Sequence, residues 1–222
     1  MAVERRRARE RAARHQLIIQ TARQIAEADG WDAVTTRRLA ETIEYSQPVL
    51  YSHFANKDAI VAAVAIDGFT ELAERLHQAR RTAADHQQAL AGVAQAYLDF
   101  GLANPALYDA MFRLDIGLAF GQTEAPQPLH AGFDELRAAV APLAGDRHLD
   151  TFTEVFWSAL HGLVSLTRAG RLRESQAALR LPMLLAQLQA RPQSPTARAR
   201  AKPGAQPTKP RNRQVREEIS RR

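Results

Sequence analysis

Residues 35–54 read TTRRLAETIEYSQPVLYSHF, and the spacing within this stretch decides the fold. Thr35 or Thr36 is a good N-cap for a short helix through Ile43, with Leu39, Ala40 and Ile43 turned inward. Glu44, Tyr45 and Ser46 make a three-residue turn. Ser46 is placed to cap a second short helix, and Pro48 falls in its first turn, where a missing N–H costs nothing. Val49, Leu50 and Phe54 give that helix its apolar side. Two short helices so joined have the dimensions of a helix-turn-helix, which leaves one side of the second helix free. That side offers Gln47, Pro48, Tyr51, Ser52 and His53. The pattern alone fits two uses, reading of a DNA groove and plain packing of a three-helix unit.

The flanking chain is helical as well. Leu17, Ile18, Ala22, Ile25 and Ala26 predict a helix from about Arg9 to Asp29, with Gly30 at its end. Asn56 caps the next helix, with Asp58 in its first turn and Ile60, Val64, Phe69, Leu72 and Leu76 behind. Further helices are predicted over 87–103, 105–119, 129–143, 149–169 and 173–190. No stretch alternates β-branched residues, so a sheet is not expected. The predicted fold class is all-α, an N-terminal three-helix domain followed by a larger helical domain.

The 222 residues carry a formal net charge of +6, but the charge is not uniform. Residues 1–14 hold six Arg and two Glu, and residues 191–222 hold ten Lys and Arg against two Glu. The remaining 15–190 are therefore acidic, with 14 basic and 20 acidic side chains. Five of the 11 prolines fall in the last 32 residues, where large apolar residues almost vanish. Such a segment cannot bury enough apolar surface to offset its ordering entropy. The expected organisation is a basic arm over 1–10, a helix-turn-helix domain over 11–66, a helical domain over 67–190 and a disordered basic tail over 191–222.

Several function classes are excluded. With no cysteine, disulfide scaffolds, iron–sulfur clusters and thiol nucleophiles are ruled out. The seven histidines are scattered and form no HExxH, and there is no G-x-S-x-G, Walker loop or dinucleotide fingerprint. No enzyme, metal or cofactor is expected. No apolar run reaches the roughly 18 residues of a membrane span, and the first residues contain no apolar signal core. No membrane partner is therefore expected, and the expected location is cytoplasmic, at the nucleoid.

The run LYSHFANKDAIVAAV, preceded by GWDAVTTRRLAETIEYS, strongly resembles the N-terminal domain of the TetR family of transcriptional regulators over roughly residues 11–66. Residue by residue, the resemblance implies phosphate contacts from Thr36, Tyr51, His53 and Lys57 and base contacts from Arg37, Gln47 and Pro48. An alternative for His53 is packing on Phe54. One departure stands out: the family's turn usually contains a small residue, often Gly, where this chain has Glu44-Tyr45. A carboxylate near phosphate is repulsive, so Glu44 is expected to point outward or toward Arg38. Residues 15–60 are slightly acidic, with four basic and six acidic side chains. Arg5, Arg6, Arg7, Arg9 and Arg11 of the N-terminal arm then become candidates for the adjacent minor groove, the alternative being a frayed, solvated arm.

A weaker resemblance covers the C-terminal domain, where Trp157, His161 and Gly162 match the Trp…His-Gly signature of one TetR subgroup. It implies a homodimer paired through the last two long helices, with Phe152, Phe156, Ala159, Leu160, Leu163, Val164 and Leu166 of one and Leu181, Leu184, Leu185 and Leu188 of the other as seam candidates. For a small hydrophobic or aromatic effector the candidates are Phe69, Tyr97, Phe100, Tyr108, Met111, Phe112, Phe120, Trp157 and His161. Apolar residues at helical spacing also serve simply as core, and His161 also fits a hydrogen-bonded structural role. The implied function is a ligand-responsive repressor that binds a palindromic double-stranded DNA operator as a homodimer. The alternative is a nucleic-acid-associated protein that binds through its basic arm and tail without sequence preference.

Overall fold

A computed structural model describes residues 1–114 and 127–190. Phe120, the end of the helix predicted over 105–119, most of the connection at 121–128 and the basic tail over 191–222 lie outside the described residues. The described residues contain nine α-helices and no strand.

Helix α1 (Ala2–Asp29) buries Ile18, Ile19, Thr21, Ala22, Ile25 and Ala26 on one stripe and ends at Gly30, whose φ of +82° a residue with a Cβ rarely adopts. Its start lies well before the predicted Arg9. Apart from Val3, the stretch from Ala2 to Arg14 is built from Ala, Arg and Glu, strong helix formers without an apolar stripe, so periodicity gave no sign of it. The same stretch is exposed along nearly its whole length.

Helix α2 (Thr36–Thr42) is capped by Thr35, whose Oγ1 accepts the Arg38 N–H at 3.1 Å. Helix α3 (Gln47–Tyr51) follows, with Pro48 in its first turn. Ser46 stands at its N-cap position in extended backbone, but its side chain makes no capping bond, contrary to expectation. The turn between them is a Schellman closure: Tyr45 N–H donates to Ala40 O at 3.0 Å, and Glu44 occupies the left-handed position with φ +58°. Glu44 is thus strained by its Cβ, and its exposed side chain points outward. Arg38 is taken by Asp29, at the end of α1, with Nη2 donating to Oδ2 at 2.5 Å.

Helix α4 (Lys57–Arg81) begins at Asn56, whose Oδ1 accepts the Ala59 N–H at 2.8 Å, and runs unbroken through the 66/67 boundary expected between domains. It packs against α1, α5 (His86–Ala103), α6 (Pro105–Phe112) and α7 (Gln127–Ala144). Helix α8 (Leu149–Arg168) closes on α5 and α7, and α9 (Ala177–Gln189) lies along α5 with only Leu188 buried. Met1 to Gln189 form one packed unit.

Two glycines set how closely α6 and its neighbours approach. A Cβ on Gly68 would meet Leu107 Cδ1 at 2.7 Å, and one on Gly101 would meet Val164 Cγ1 at 2.7 Å and Tyr108 Cε2 at 2.9 Å. The Leu107 contact is the end of a flexible side chain. Val164 is stiff at χ1, and Tyr108 is held by hydrogen bonds at its hydroxyl, so neither neighbour of Gly101 can yield.

Two stability measurements test this description. Gly101→Ala is expected to destabilise by roughly 1–3 kcal/mol in chemical denaturation, through overpacking; an unchanged midpoint would contradict the close approach. Glu44→Gly relieves the left-handed strain and is expected to stabilise by about 1 kcal/mol, raising Tm by roughly 2–4 °C. A lower Tm for that variant would mean that Glu44 makes a favourable contact outweighing its backbone strain.

Candidate functional site

Leu50, 1% exposed, and Phe54, 6% exposed, pin α3 to the core by one side. The opposite side exposes Gln47, Pro48, Tyr51 and Ser52, with Tyr51 more than half exposed. The C-terminal end of α3 is tied to α1, where Arg11 Nη2 donates to Ser52 O at 3.3 Å. The ring stacked on Phe54 is that of His15, at 4.4 Å between centroids, and the His53 ring lies 6.0 Å from His15. Burial and then the nearby Arg11, His15 and Arg14 hold His53 below the ordinary histidine range. A neutral His53 retains one N–H to donate.

The other candidates on this surface divide. Thr36 is half-buried at the start of α2. Arg37 is exposed, its Nε donating to Glu41 at 2.8 Å, and this ion pair one turn along α2 is an exposed contact of little strength. Lys57 is half-buried, and its Nζ donates to Trp31 O at 2.6 Å, spending one of three donors on fixing α4 against the Trp31–Ala33 turn. Arg5, Arg6 and Arg7 lie on the exposed first turns of α1, with Arg6 Nε 3.5 Å from Glu10. Arg7, Arg11 and Arg14 follow at helical spacing, so the face that reaches Ser52 is cationic.

A second site opens between α6 and α8, where a cleft of about 410 Å³ is lined by Phe112, Trp157, Ser158, His161 and Gly162. Trp157 and His161, one turn apart on α8, both face it. Behind them runs a chain of hydrogen bonds. Trp157 Nε1 donates to Tyr97 Oη at 2.9 Å, Tyr97 and Tyr108 hydroxyls lie 3.0 Å apart, and Tyr108 Oη is 2.7 Å from His161 Nδ1. Burial pushes the Tyr97 hydroxyl up to about 12, raises Tyr108 further and lowers His161. All three are therefore neutral at ordinary pH.

The remaining effector candidates support the cleft from farther away. Phe69 meets Phe112 edge-on at 5.3 Å, while Phe100 and Met111 are core residues at 0% and 1% exposure. Sequence reading missed Ser158, which no motif marks.

The seam candidates separate by burial. Phe156 and Leu160 are fully buried and Phe152 and Leu188 nearly so, which turns them into the protomer's own core. Leu163, Leu181, Leu184 and Leu185 are partly buried; Leu163, Leu181 and Leu185 line a groove shared with α5. The large apolar residues exposed on α8 and α9 are Val155, Leu166, Leu179 and Met183, each 46–61% exposed, of which only Leu166 was among the candidates. Gly162 lies on the face of Val155 and Leu166 at helical spacing, and a Cβ there would meet nothing within 4 Å.

A polar joint connects the two sites. Glu27, in the last turn of α1, accepts the Ala106 N–H at 3.0 Å and the Leu107 N–H at 2.9 Å. Trp31 Nε1 donates to Ala106 O at 2.8 Å. Arg23 bridges Glu71 Oε2 at 2.7 Å and Asn104 Oδ1 at 2.8 Å. Burial raises the Glu71 carboxyl, but Arg23 and Arg75 outweigh it and hold the group below the ordinary carboxylate range. On the far side of α6, Asp109 takes both Nη atoms of Arg168 at 3.0 and 2.9 Å.

Comparison with known proteins agrees with this architecture. Residues 18–64 match the family of bacterial regulatory proteins, tetR family, and residues 90–201 match the tetracyclin repressor-like C-terminal domain. The uncharacterized HTH-type transcriptional regulator YobS of Bacillus subtilis is 31% identical over 94 residues, 42% of this chain and 49% of the relative. Rv0681 of Mycobacterium tuberculosis, also an uncharacterized HTH-type transcriptional regulator, is 28% identical over 162 residues, 69% of each chain. The chain thus spans about half the length of the first relative and about two thirds of the second. A protein of unknown function from Rhodococcus sp. RHA1 shares the fold at a TM-score of 0.65 and 24% identity, over 79% of this chain and 93% of that one. With the C-terminal model alone spanning half of its length and the N-terminal model laid over the helix-turn-helix, this chain belongs to the TetR family of bacterial regulatory proteins.

Proposed function

We propose that this protein is a ligand-responsive transcriptional regulator, a repressor that binds a palindromic operator as a homodimer and leaves it when a small apolar effector fills the α6–α8 cleft. The observation that carries the reading is α3, held by Leu50 and Phe54 and presenting Gln47, Pro48 and Tyr51 outward on a helix closed against α1 by Arg11. Such a helix enters a major groove with its first residues at base edges and its later ones at phosphates. Gln47 and Pro48 are the base readers, Tyr51 and His53 the phosphate contacts, and the cationic face of α1 adds affinity without choosing sequence.

The dimer forms through the outer faces of α8 and α9. Val155, Ala159, Gly162 and Leu166 recur at spacings of four, three and four residues, and Leu179 and Met183 extend the apolar surface on α9. Two reading helices then face half-sites about 34–36 Å apart. Helix α6 is the lever. Its last residue, Phe112, walls the cleft, and its first N–H groups are held by Glu27 at the end of α1. A ligand that prefers a displaced α6 shifts the reading heads by no more than its difference in affinity between the two positions.

Binding to a fragment upstream of the protein's own gene, set against random DNA at physiological salt, tests the central reading. A preference of roughly 10³-fold or more is expected; equal affinity would favour the alternative of binding without sequence preference. Gln47→Ala should change which base is preferred, whereas Tyr51→Ala should weaken every sequence. The joint has its own test. Glu27→Ala is expected to cost roughly 1–2 kcal/mol of stability, as the loss of a helix cap, and to blunt release of DNA by an effector. Retention of the full effector response in that variant would take the Glu27 contact out of the coupling.

A further inference from the structure

The hydrogen-bond chain behind the cleft has a direction, and the direction specifies the ligand. An indole N–H donates and cannot accept, so the polarity is set at Trp157, which donates to Tyr97 Oη. Tyr97 is 1% exposed, and its hydroxyl hydrogen has Tyr108 Oη, 3.0 Å away, as acceptor. Tyr108 is fully buried and passes its own hydrogen to His161 Nδ1 at 2.7 Å. In the opposite polarity, with Nδ1–H or an imidazolium donating to Tyr108, both Trp157 and Tyr108 would donate to Tyr97. The Tyr97 hydrogen would then be buried without an acceptor, at a cost of roughly 1–3 kcal/mol. Lowering of the His161 pKa by burial acts in the same direction. His161 is therefore neutral, with Nδ1 accepting and Nε2 carrying the proton.

The ring whose Nδ1 is used inside lines the cleft, so its remaining polar group is an N–H donor. The rest of the described lining is the aromatic faces of Phe112 and Trp157, Gly162 and the hydroxyl-bearing Ser158, with no carboxylate. We infer that the cleft selects flat, apolar molecules bearing a hydrogen-bond acceptor, a carbonyl or carboxylate oxygen, which His161 Nε2–H binds. This inference rests on the reading of the cleft as the effector site. It adds that the relay from Trp157 makes His161 a specificity residue that discriminates acceptor-bearing ligands from hydrocarbons of the same shape.

The experiment uses the full chain labelled with ¹⁵N-histidine and a near-isosteric pair of probes, 2-acetylnaphthalene and 2-ethylnaphthalene. Two-bond ¹H–¹⁵N spectra, with His161 assigned by its loss in His161→Phe, are expected to show the Nε2–H tautomer near neutral pH; the Nδ1–H tautomer would overturn the inference. Affinities are then compared as a cycle. His161→Phe should lower the ratio of ketone to hydrocarbon affinity by roughly 3- to 10-fold, the strength of one hydrogen bond, and His161→Gln, whose amide also donates, should restore part of it. Retained hydrocarbon binding shows that the variants are folded. An unchanged ratio would overturn the inference while leaving the cleft a ligand site. If the tautomer is Nε2–H but neither probe perturbs the Trp157 indole or the His161 ring up to its solubility limit, the effector-site reading fails and the inference fails with it.

Discussion

The carboxylate of Glu27 is the contact on which the arrangement of the two sites turns. A helix begins with N–H groups that no turn of its own can satisfy. In α6 Pro105 removes one of them, and Asn104, at the N-cap position, makes no capping bond. Its amide is already used, with Nδ2 donating to Phe100 O and Oδ1 accepting from Arg23. Ala106 and Leu107 are left for Glu27, which reaches them from the last turn of α1, and the positive end of the helix dipole adds to the attraction. Two residues after Glu27, Asp29 ties α2 back to α1 through Arg38, and Lys57 closes α4 onto the intervening turn at Trp31. The orientation of α3 and the start of α6 are thus solutions of one packing problem.

The other end of that problem is polar and buried. Tyr97 and Tyr108 lie in the core at 1% and 0% exposure, where an unpaired hydroxyl is costly. Their hydroxyls are satisfied only in series, from Trp157 through both tyrosines to His161. Removing one member therefore strands its neighbours, which makes the series specific about position in a way that an apolar core of equal volume is not. Gly101 reinforces this by admitting Tyr108 and Val164 to its surface, and Arg168 clamps Asp109 beside them. Any displacement of α6 would have to carry this hydrogen-bonded chain with it or break it.

Much of this was legible in the sequence, and the divisions follow physical range. Helices α2 to α4 were readable because their signals are local: Thr35 and Asn56 cap within three residues, and Leu39 with Ile43, Leu50 with Phe54 and Ile60 with Val64 each pair at a spacing of four. The start of α1 was not, since Ala and Arg form helix without an apolar stripe to announce it. At the turn, the glycine-to-glutamate departure was visible as chemistry, but its strain lies in a backbone angle that the residue type does not report. Glu27 and Asn104 were invisible as partners for a different reason: their contacts with α6 and Arg23 span about 80 positions, which no spacing rule covers. In the cleft, Phe112, Trp157 and His161 were readable as a group, whereas the order of the hydrogen bonds behind them needed coordinates.

Helix α8 shows why a seam cannot be chosen from apolar spacing alone. It carries two apolar stripes, Phe152, Phe156, Leu160 and Val164 on one side and Val155, Ala159, Gly162 and Leu166 on another, both at helical repeat. A helix apolar on two sides is expected to be covered on both. Spacing alone offers residues of both as a seam, yet the larger side chains of the first stripe are the ones that α5 and α7 consume within the protomer. The second stripe is smaller in volume and contains a glycine, which suits close approach of a second backbone better than bulk does. Gly162 of this stripe also lines the cleft, one turn after Ser158. A partner helix packed on this stripe, as in the dimer proposed above, would cross beside the cleft, so that an effector there would bear on the angle between subunits as well as on α6.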